Sequence, residues 1–267
     1  MKRLAQQTLV IGSGKGGVGK STVSVNIAVA LARLGLQVGL LDADLYGPSI
    51  PIMFGLRMLT PATTKDQQGK EWTLPFTKYG VKTLSLGYFI EESRSVVWRG
   101  PVLHTTLQKM LFETDWGELD VLLIDLPPGT GDVPMSLSQL ITIDGALVVT
   151  TPQDVAILDA VKAINSFHQL EIPLCGIIEN MAGFTAPGTE EVYYLFGEGQ
   201  GHDLAERFQA PLIGSIPILP AICLGCEEGC PVAFHQGSGG VGEVFMELAS
   251  NLLQQVRYDE HVGRNLI

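Results

Sequence analysis

Thr8-Leu9-Val10-Ile11-Gly12-Ser13-Gly14-Lys15-Gly16-Gly17-Val18-Gly19-Lys20-Ser21-Thr22 runs from an apolar segment through a glycine-studded turn into a stretch of helical periodicity. From Gly14 to Ser21 the turn satisfies G-x-x-x-x-G-K-[ST]. Its glycines can take backbone angles that other residues avoid, so successive N–H groups turn inward on phosphate oxygens. The helix that follows adds the positive end of its dipole. The motif lies between a predicted strand over residues 8–13 and a predicted helix over 20–34, the setting that separates a nucleotide loop from an ordinary tight turn. The expected nucleotide-binding set is Gly14, Gly16, Gly17, Val18, Gly19, Lys20, Ser21 and Thr22. Lys20 is expected on the β- and γ-phosphates and the Ser21 hydroxyl on Mg²⁺.

Outward from the loop, short apolar runs alternate with longer helix-like segments, the pattern of a parallel sheet covered by helices. Strands are predicted over 37–42, 120–126, 145–151, 174–179 and 211–216, besides 8–13. Helices are predicted over 103–112, 133–140, 155–168, 202–208 and 241–256, besides 20–34. Residues 57–77 read as a polar surface excursion, and 185–191 and 197–201 as irregular. The expected architecture is α/β: a single P-loop NTPase domain over 1–267, with a mostly parallel central sheet and helices on both faces.

Two carboxylate segments follow the same logic. The second predicted strand ends in Leu41-Asp42-Ala43-Asp44, where ligands bind at the carboxyl edge of a parallel sheet. Residues two apart on an extended segment face the same way, so both carboxylates can point at the nucleotide. The alternative is a pair of carboxylates that cap the next turn. Val121-Leu122-Leu123-Ile124-Asp125 has the form of a Walker B strand, which places the Asp125 carboxylate beside Mg²⁺. The loop after it, Leu126-Pro127-Pro128-Gly129-Thr130-Gly131-Asp132, stands where a γ-phosphate sensor belongs.

The net charge of −11 over 267 residues argues against a broad basic surface for nucleic acid or anionic lipid. No apolar run reaches the eighteen or so residues of a transmembrane helix, so no membrane insertion and a cytoplasmic location are expected. In a reducing compartment, Cys223, Cys226 and Cys230 within a few residues of one another point to metal or redox chemistry rather than to structural disulfides. Cys175, inside an apolar run, reads as a small core residue.

Lys15 directly after the first loop glycine makes G-K-G-G-V-G-K-S-T, which resembles the deviant Walker A of the MinD/ParA/nitrogenase-iron-protein class. That resemblance implies a lysine that crosses a homodimer interface to the partner's nucleotide. Leu45-Tyr46-Gly47-Pro48-Ser49, Trp98-Arg99-Gly100-Pro101, Trp116-Gly117-Glu118-Leu119-Asp120, the loop 125–132, Val148-Val149-Thr150-Thr151-Pro152-Gln153-Asp154-Val155, Glu179-Asn180-Met181 and Phe196-Gly197-Glu198-Gly199 are similar to the Mrp/ApbC iron–sulfur cluster carriers. The resemblance implies a MinD-like fold, slow ATP hydrolysis and cluster transfer to apo-proteins. It further implies that Asp44 positions the attacking water, Asp42 supports the hydration shell of Mg²⁺, Asn180 contacts the adenine and Pro217 lies in the loop that closes over it.

The chain departs from that family at the cargo. The carriers have C-P-x-C shortly after E-N-M, whereas Ala186 and Thr189 stand there in this sequence. Neither offers the thiolate that cluster iron takes. Cys223-Leu224-Gly225-Cys226-Glu227-Glu228-Gly229-Cys230-Pro231 supplies C-x-x-C-x-x-x-C later, expected on a flexible loop and a candidate site for a [4Fe–4S] cluster. Zinc, with His235 as a further ligand, and metal-free redox or packing roles are the alternatives. The leading expectation is an ATP-dependent iron–sulfur carrier that serves apo iron–sulfur proteins or a client enzyme. The others are a cluster-free ATPase of the same ancestry and a positioning ATPase of the MinD/ParA kind, which the mixed-charge tail 254–261 disfavours.

Overall fold

In the computed structural model, residues 2–89, 100–235 and 240–256 are described. Trp98 and Arg99 and the tail from residue 257 lie outside them. The strands in chain order are β1 (Gln7–Gly12), β2 (Val38–Asp42), β3 (Thr63–Lys65), β4 (Glu71–Thr73), β5 (Phe76–Lys78), β6 (Val81–Ser85), β7 (Val121–Asp125), β8 (Gly145–Thr150), β9 (Leu174–Asn180), β10 (Phe184–Thr185), β11 (Val192–Tyr193) and β12 (Leu212–Ile216). The helices are α1 (Lys20–Arg33), α2 (Ile50–Met53), α3 (Gly100–Phe112), α4 (Asp132–Leu140), α5 (Asp154–Gln169), α6 (Gln200–Phe208), α7 (Pro220–Glu227) and α8 (Val241–Gln255).

Every residue of β1, β2, β7 and β8 is buried. Side chains alternate across a strand, so burial at every position means that both faces of the sheet are covered. This is why these segments read as continuous apolar runs rather than alternating ones. The sheet order is β12-β9-β8-β1-β7-β2-β6-β5, parallel throughout except for β5, which pairs antiparallel with β6. β1 sits between β7 and β8, which brings the carboxyl ends of the three strands together under the glycine loop.

All the predicted strands are present, with ends shifted by no more than one residue. The differences fall elsewhere. β6 carries Lys82, Thr83 and Ser85 among its apolar residues, so no apolar run announces it. Thr83 and Ser85 are nonetheless buried, and the Lys82 ammonium donates to the Trp116 carbonyl at 2.5 Å. The excursion at 57–77 contains the exposed β3–β4 hairpin. Cys223 and Cys226, expected on a flexible loop, lie instead on helix α7, and Cys230 follows it. Pro220 opens it at a first-turn position that suits a residue without an N–H. Gly225, the loop signal, lies inside the helix, where a Cβ would come within 2.7 Å of the Cys230 carbonyl oxygen.

Candidate active site

The glycine loop is shaped by three close approaches. Gly17 and Gly19 have φ of +83° and +81°, left-handed angles that a side chain disfavours. A Cβ on Gly14 would meet the Asp159 carbonyl carbon of α5 at 2.0 Å, and one on Gly19 would meet Asn180 Nδ2 at 2.3 Å. Asn180 Nδ2 donates to the Val18 carbonyl at 2.8 Å, so the end of β9 clamps the loop. Asn180 is also the register partner of Ile216, which puts Pro217 beside it. Two backbone bonds fix that corner: Ala182 donates to Ile216 and Ile218 to Gly183. Asn180 and Pro217, implied at an adenine site, are thus brought together.

Below the loop, Lys20 is buried, with Nζ 2.7 Å from Asp125 Oδ2 and 3.1 Å from Ser21 Oγ. Ser21 Oγ donates to the same Asp125 oxygen at 2.6 Å. Ser24 Oγ donates to Asp125 Oδ1 at 2.5 Å. Ser24 was not anticipated as a site residue; its signal is its place one helical turn after Lys20, on the face that meets the sheet. Gly129 of the sensor-like loop donates to the Ser13 carbonyl at 2.8 Å, stitching that loop to the phosphate loop.

Asp42 is buried beside this cluster. It accepts from Ser85 Oγ at 2.9 Å and from the backbone N–H groups of Asp44 and Ile50 at 3.1 and 3.3 Å. Burial, and next the negative charge of Asp125, raise its pKa from 3.8 to about 7. Ser85 escaped notice because β6 did. Asp44 is half-buried, and Oδ1 accepts from the N–H groups of Tyr46 and Gly47, so it caps the turn that follows β2. Burial raises its pKa, opposed by Lys20. Lys15 is half-buried, and Nζ donates to Gln153 Oε1 of its own chain at 2.9 Å. Gln153, immediately before α5, is a contact that spacing in the sequence could not reveal.

These residues fit Mg²⁺ and a nucleotide. The donors are a hydroxyl and carboxylates, the hard oxygens that Mg²⁺ prefers, beside a lysine for phosphate charge. A Cβ on Gly16 or Gly17 would leave the mouth of the loop uncrowded, with no neighbour closer than 3.9 Å.

The thiols are arranged differently. Cys223 is exposed and Cys226 buried on α7, while Cys230 follows the helix with Sγ 3.2 Å from His235 Nε2. Among the described residues, ligand-type atoms gather in threes within 4.8 Å at His202, Asp203 and Glu206, an exposed group on α6, and not at the three cysteines. Ala186 and Thr189 lie in the loop between β10 and β11, joined by the Thr189 N–H to the Ala186 carbonyl. Cys175 is half-buried on β9 against Gly145, as a small packing residue would be.

A family model for ParA-type proteins, described as NUBPL iron-transfer P-loop NTPase, matches residues 5–253. The chain belongs to that iron-transfer P-loop NTPase family. Its similarity to an iron-sulfur cluster carrier protein of Aquifex aeolicus is 47% identity over 249 residues, which are 93% of this chain and 67% of the relative. Among solved structures, a nucleotide-binding protein of Archaeoglobus fulgidus in complex with ADP is 37% identical with a TM-score of 0.73, over 84% of this chain and 87% of that one. The cell-division ATPase MinD of Pyrococcus furiosus is 22% identical with a TM-score of 0.66, over 93% of this chain and 99% of its own, a likeness of fold. For this NUBPL-family chain, no described helix is long and apolar enough to cross a membrane.

Proposed function

We propose that this chain is a Mg²⁺-dependent ATPase that works as a homodimeric switch in iron–sulfur cluster transfer, acting in the cytoplasm on apo iron–sulfur proteins or a client enzyme. One observation carries the reading: Lys20, Ser21 and Ser24 converge on the buried Asp125 carboxylate directly beneath a glycine loop. The loop N–H groups from Gly14 to Thr22 hold the phosphates, and Lys20 moves from Asp125 to the β- and γ-phosphate oxygens. Ser21 and Asp125 hold the metal, and Asp42 holds its water shell through a carboxylate already oriented by Ser85. Bound Mg²⁺ supplies charge neutralisation at the phosphate oxygens. Asp44 orients the attacking water, and Asn180 and Pro217 frame the adenine. Lys15 leaves Gln153 to reach the nucleotide of the second subunit, so that dimer closure depends on the γ-phosphate. Hydrolysis is slow and serves as a timer.

The cargo is a [4Fe–4S] cluster in the leading reading, carried on Cys223, Cys226 and Cys230 once α7 opens. The support for it is the ligand-like spacing and the cluster-carrier name of the relative. A second reading, an ATPase of the same family that binds its client without a cluster, is favoured by the burial of Cys226 at 5% exposure. Anaerobic iron and sulfide analysis, with ATP turnover, on the wild type and on Cys223/Cys226/Cys230→Ser separates the two. A chromophore that forms on the wild type and disappears in the variant supports the cysteine-borne cluster. No iron on either, with ATP turnover intact, supports the cluster-free switch. Absence of ATP turnover in both would overturn the proposal.

A further inference from the structure

Cys223-Leu224-Gly225-Cys226 lies on the short helix α7, which places two thiols at i and i+3. Side chains so spaced are neighbours on a helical surface, with Cβ atoms about 5–6 Å apart. A disulfide needs Cβ atoms about 3.5–4.5 Å apart, so a small tightening of the turn around Gly225 closes the gap. The two environments are opposite. Cys223 is exposed, with Sγ 3.7 Å from Glu227 Oε1. Cys226 faces inward and accepts from Asn26 Nδ2 of α1 at 3.9 Å. An accessible first thiol and a shielded second one in C-x-x-C is the arrangement that supports thiol–disulfide exchange.

The buried thiol also touches the nucleotide machinery. Asn26 Nδ2 donates to the Thr22 carbonyl at 2.9 Å, and Asn26 Oδ1 accepts from the Ala233 N–H at 3.0 Å. Asn26 therefore joins the cysteine segment to the first turn of the phosphate-binding helix. Cys230 is engaged elsewhere, on His235.

We infer that Cys223 and Cys226 form a reversible dithiol–disulfide pair whose reaction partner is a low-molecular-weight disulfide of the glutathione class, and that its closure loosens the nucleotide site through Asn26. The Cys223 thiolate attacks one sulfur of the small disulfide, forming a mixed disulfide and expelling one thiolate. Cys226 gives up its proton to that leaving thiolate and attacks Cys223 Sγ, expelling the second small thiolate, which takes up the proton lost when Cys223 ionised. The protein loses two hydrogens and two electrons, and the small disulfide becomes two thiols. The effect on the nucleotide rests on the nucleotide-binding reading above; the disulfide does not.

The test uses the full chain, reduced and then treated with glutathione disulfide, followed by intact mass and by ADP affinity. The wild type and Cys230→Ser are expected to lose the mass of two hydrogens, reversibly with dithiothreitol. Cys223→Ser, altered at an exposed position, is expected to lose none. Oxidised wild type is expected to bind ADP about fivefold more weakly, the worth of roughly one hydrogen bond. A wild type that keeps all its thiols, or a two-hydrogen loss that survives in Cys223→Ser or vanishes in Cys230→Ser, overturns the pairing. Equal ADP affinity before and after oxidation overturns the coupling. Reduced protein that binds no ADP overturns the nucleotide reading instead, and the mass result still decides the disulfide.

Discussion

Asp42 and Asp125 are register partners on the adjacent parallel strands β2 and β7, and both carboxyl groups are closed off from solvent. The two are served unequally. Asp125 holds the Lys20 ammonium and two hydroxyls, whereas Asp42 is held by neutral donors. The cation goes to Asp125, and the proton is retained on Asp42.

The folded chain therefore keeps a proton on Asp42 that the unfolded chain has released, in the window between pH 3.8 and about 7. In that window the native state binds more protons, so the Asp42 contribution to stability is full below pH 3.8 and lost as pH rises towards 7. Urea unfolding across this range, without added Mg²⁺, is expected to show wild type losing stability relative to Asp42→Asn as pH rises. Parallel pH profiles for the two proteins would exclude Asp42 as the source.

Removing Lys20 takes the cation from the buried Asp125 carboxyl group and leaves it only hydroxyl donors. Lys20→Ala is expected to cost about 3 kcal/mol of stability, in the range seen when one partner of a buried pair is deleted. It should also abolish nucleotide binding. A melting curve and an ADP titration on one sample check both, and intact ADP affinity would contradict the phosphate role.

The half-buried Lys15 donates to Gln153 within its own chain, and neither is among the hydrogen-bond partners of Asp125 given above. Lys15→Ala is expected to leave ADP affinity within about twofold, since one exchanged hydrogen bond is worth little. ATP turnover is expected to fall by about 10³-fold, the scale of a charge supplied in trans at the phosphates. Wild-type turnover in this variant would remove the cross-subunit assignment.

Gly14 and Gly16 belong to the same loop but differ in what surrounds them. Gly14→Ala would drive a methyl into the α5 backbone at Asp159 and is expected to cost about 3 kcal/mol, the upper range for overpacking. A methyl on Gly16 would have Pro128 Cγ as its nearest neighbour at 3.9 Å, so Gly16→Ala is expected to leave the thermal midpoint unchanged. Equal losses in the two would mean that the loop does not rest on α5 in this way.

Strands β1, β2, β7 and β8 were legible because each is buried on both faces and written as an apolar run, and the glycine loop because the backbone freedom it needs is local. Ser85 and Ser24 were not legible as site residues. Ser85 sits on a strand whose polar residues hid it, and Ser24 gains meaning only when α1 lies across β7. The cysteine segment misled because Gly225 signals a loop, whereas its missing Cβ makes room for the Cys230 carbonyl.

By itself the sequence determined the α/β class, the order of the parallel strands' building blocks and the glycine loop that joins β1 to α1. Those follow from periodicity, from glycine's freedom of φ and from the charge of a few side chains, all of them local properties. The tertiary structure alone decided which of Asp42 and Asp125 takes the cation, that Lys15 rests on Gln153, and that Cys226 packs on α1 while Cys223 faces water. Those outcomes depend on residues far apart in the chain and on the desolvation each meets when the sheet and its helices close over them.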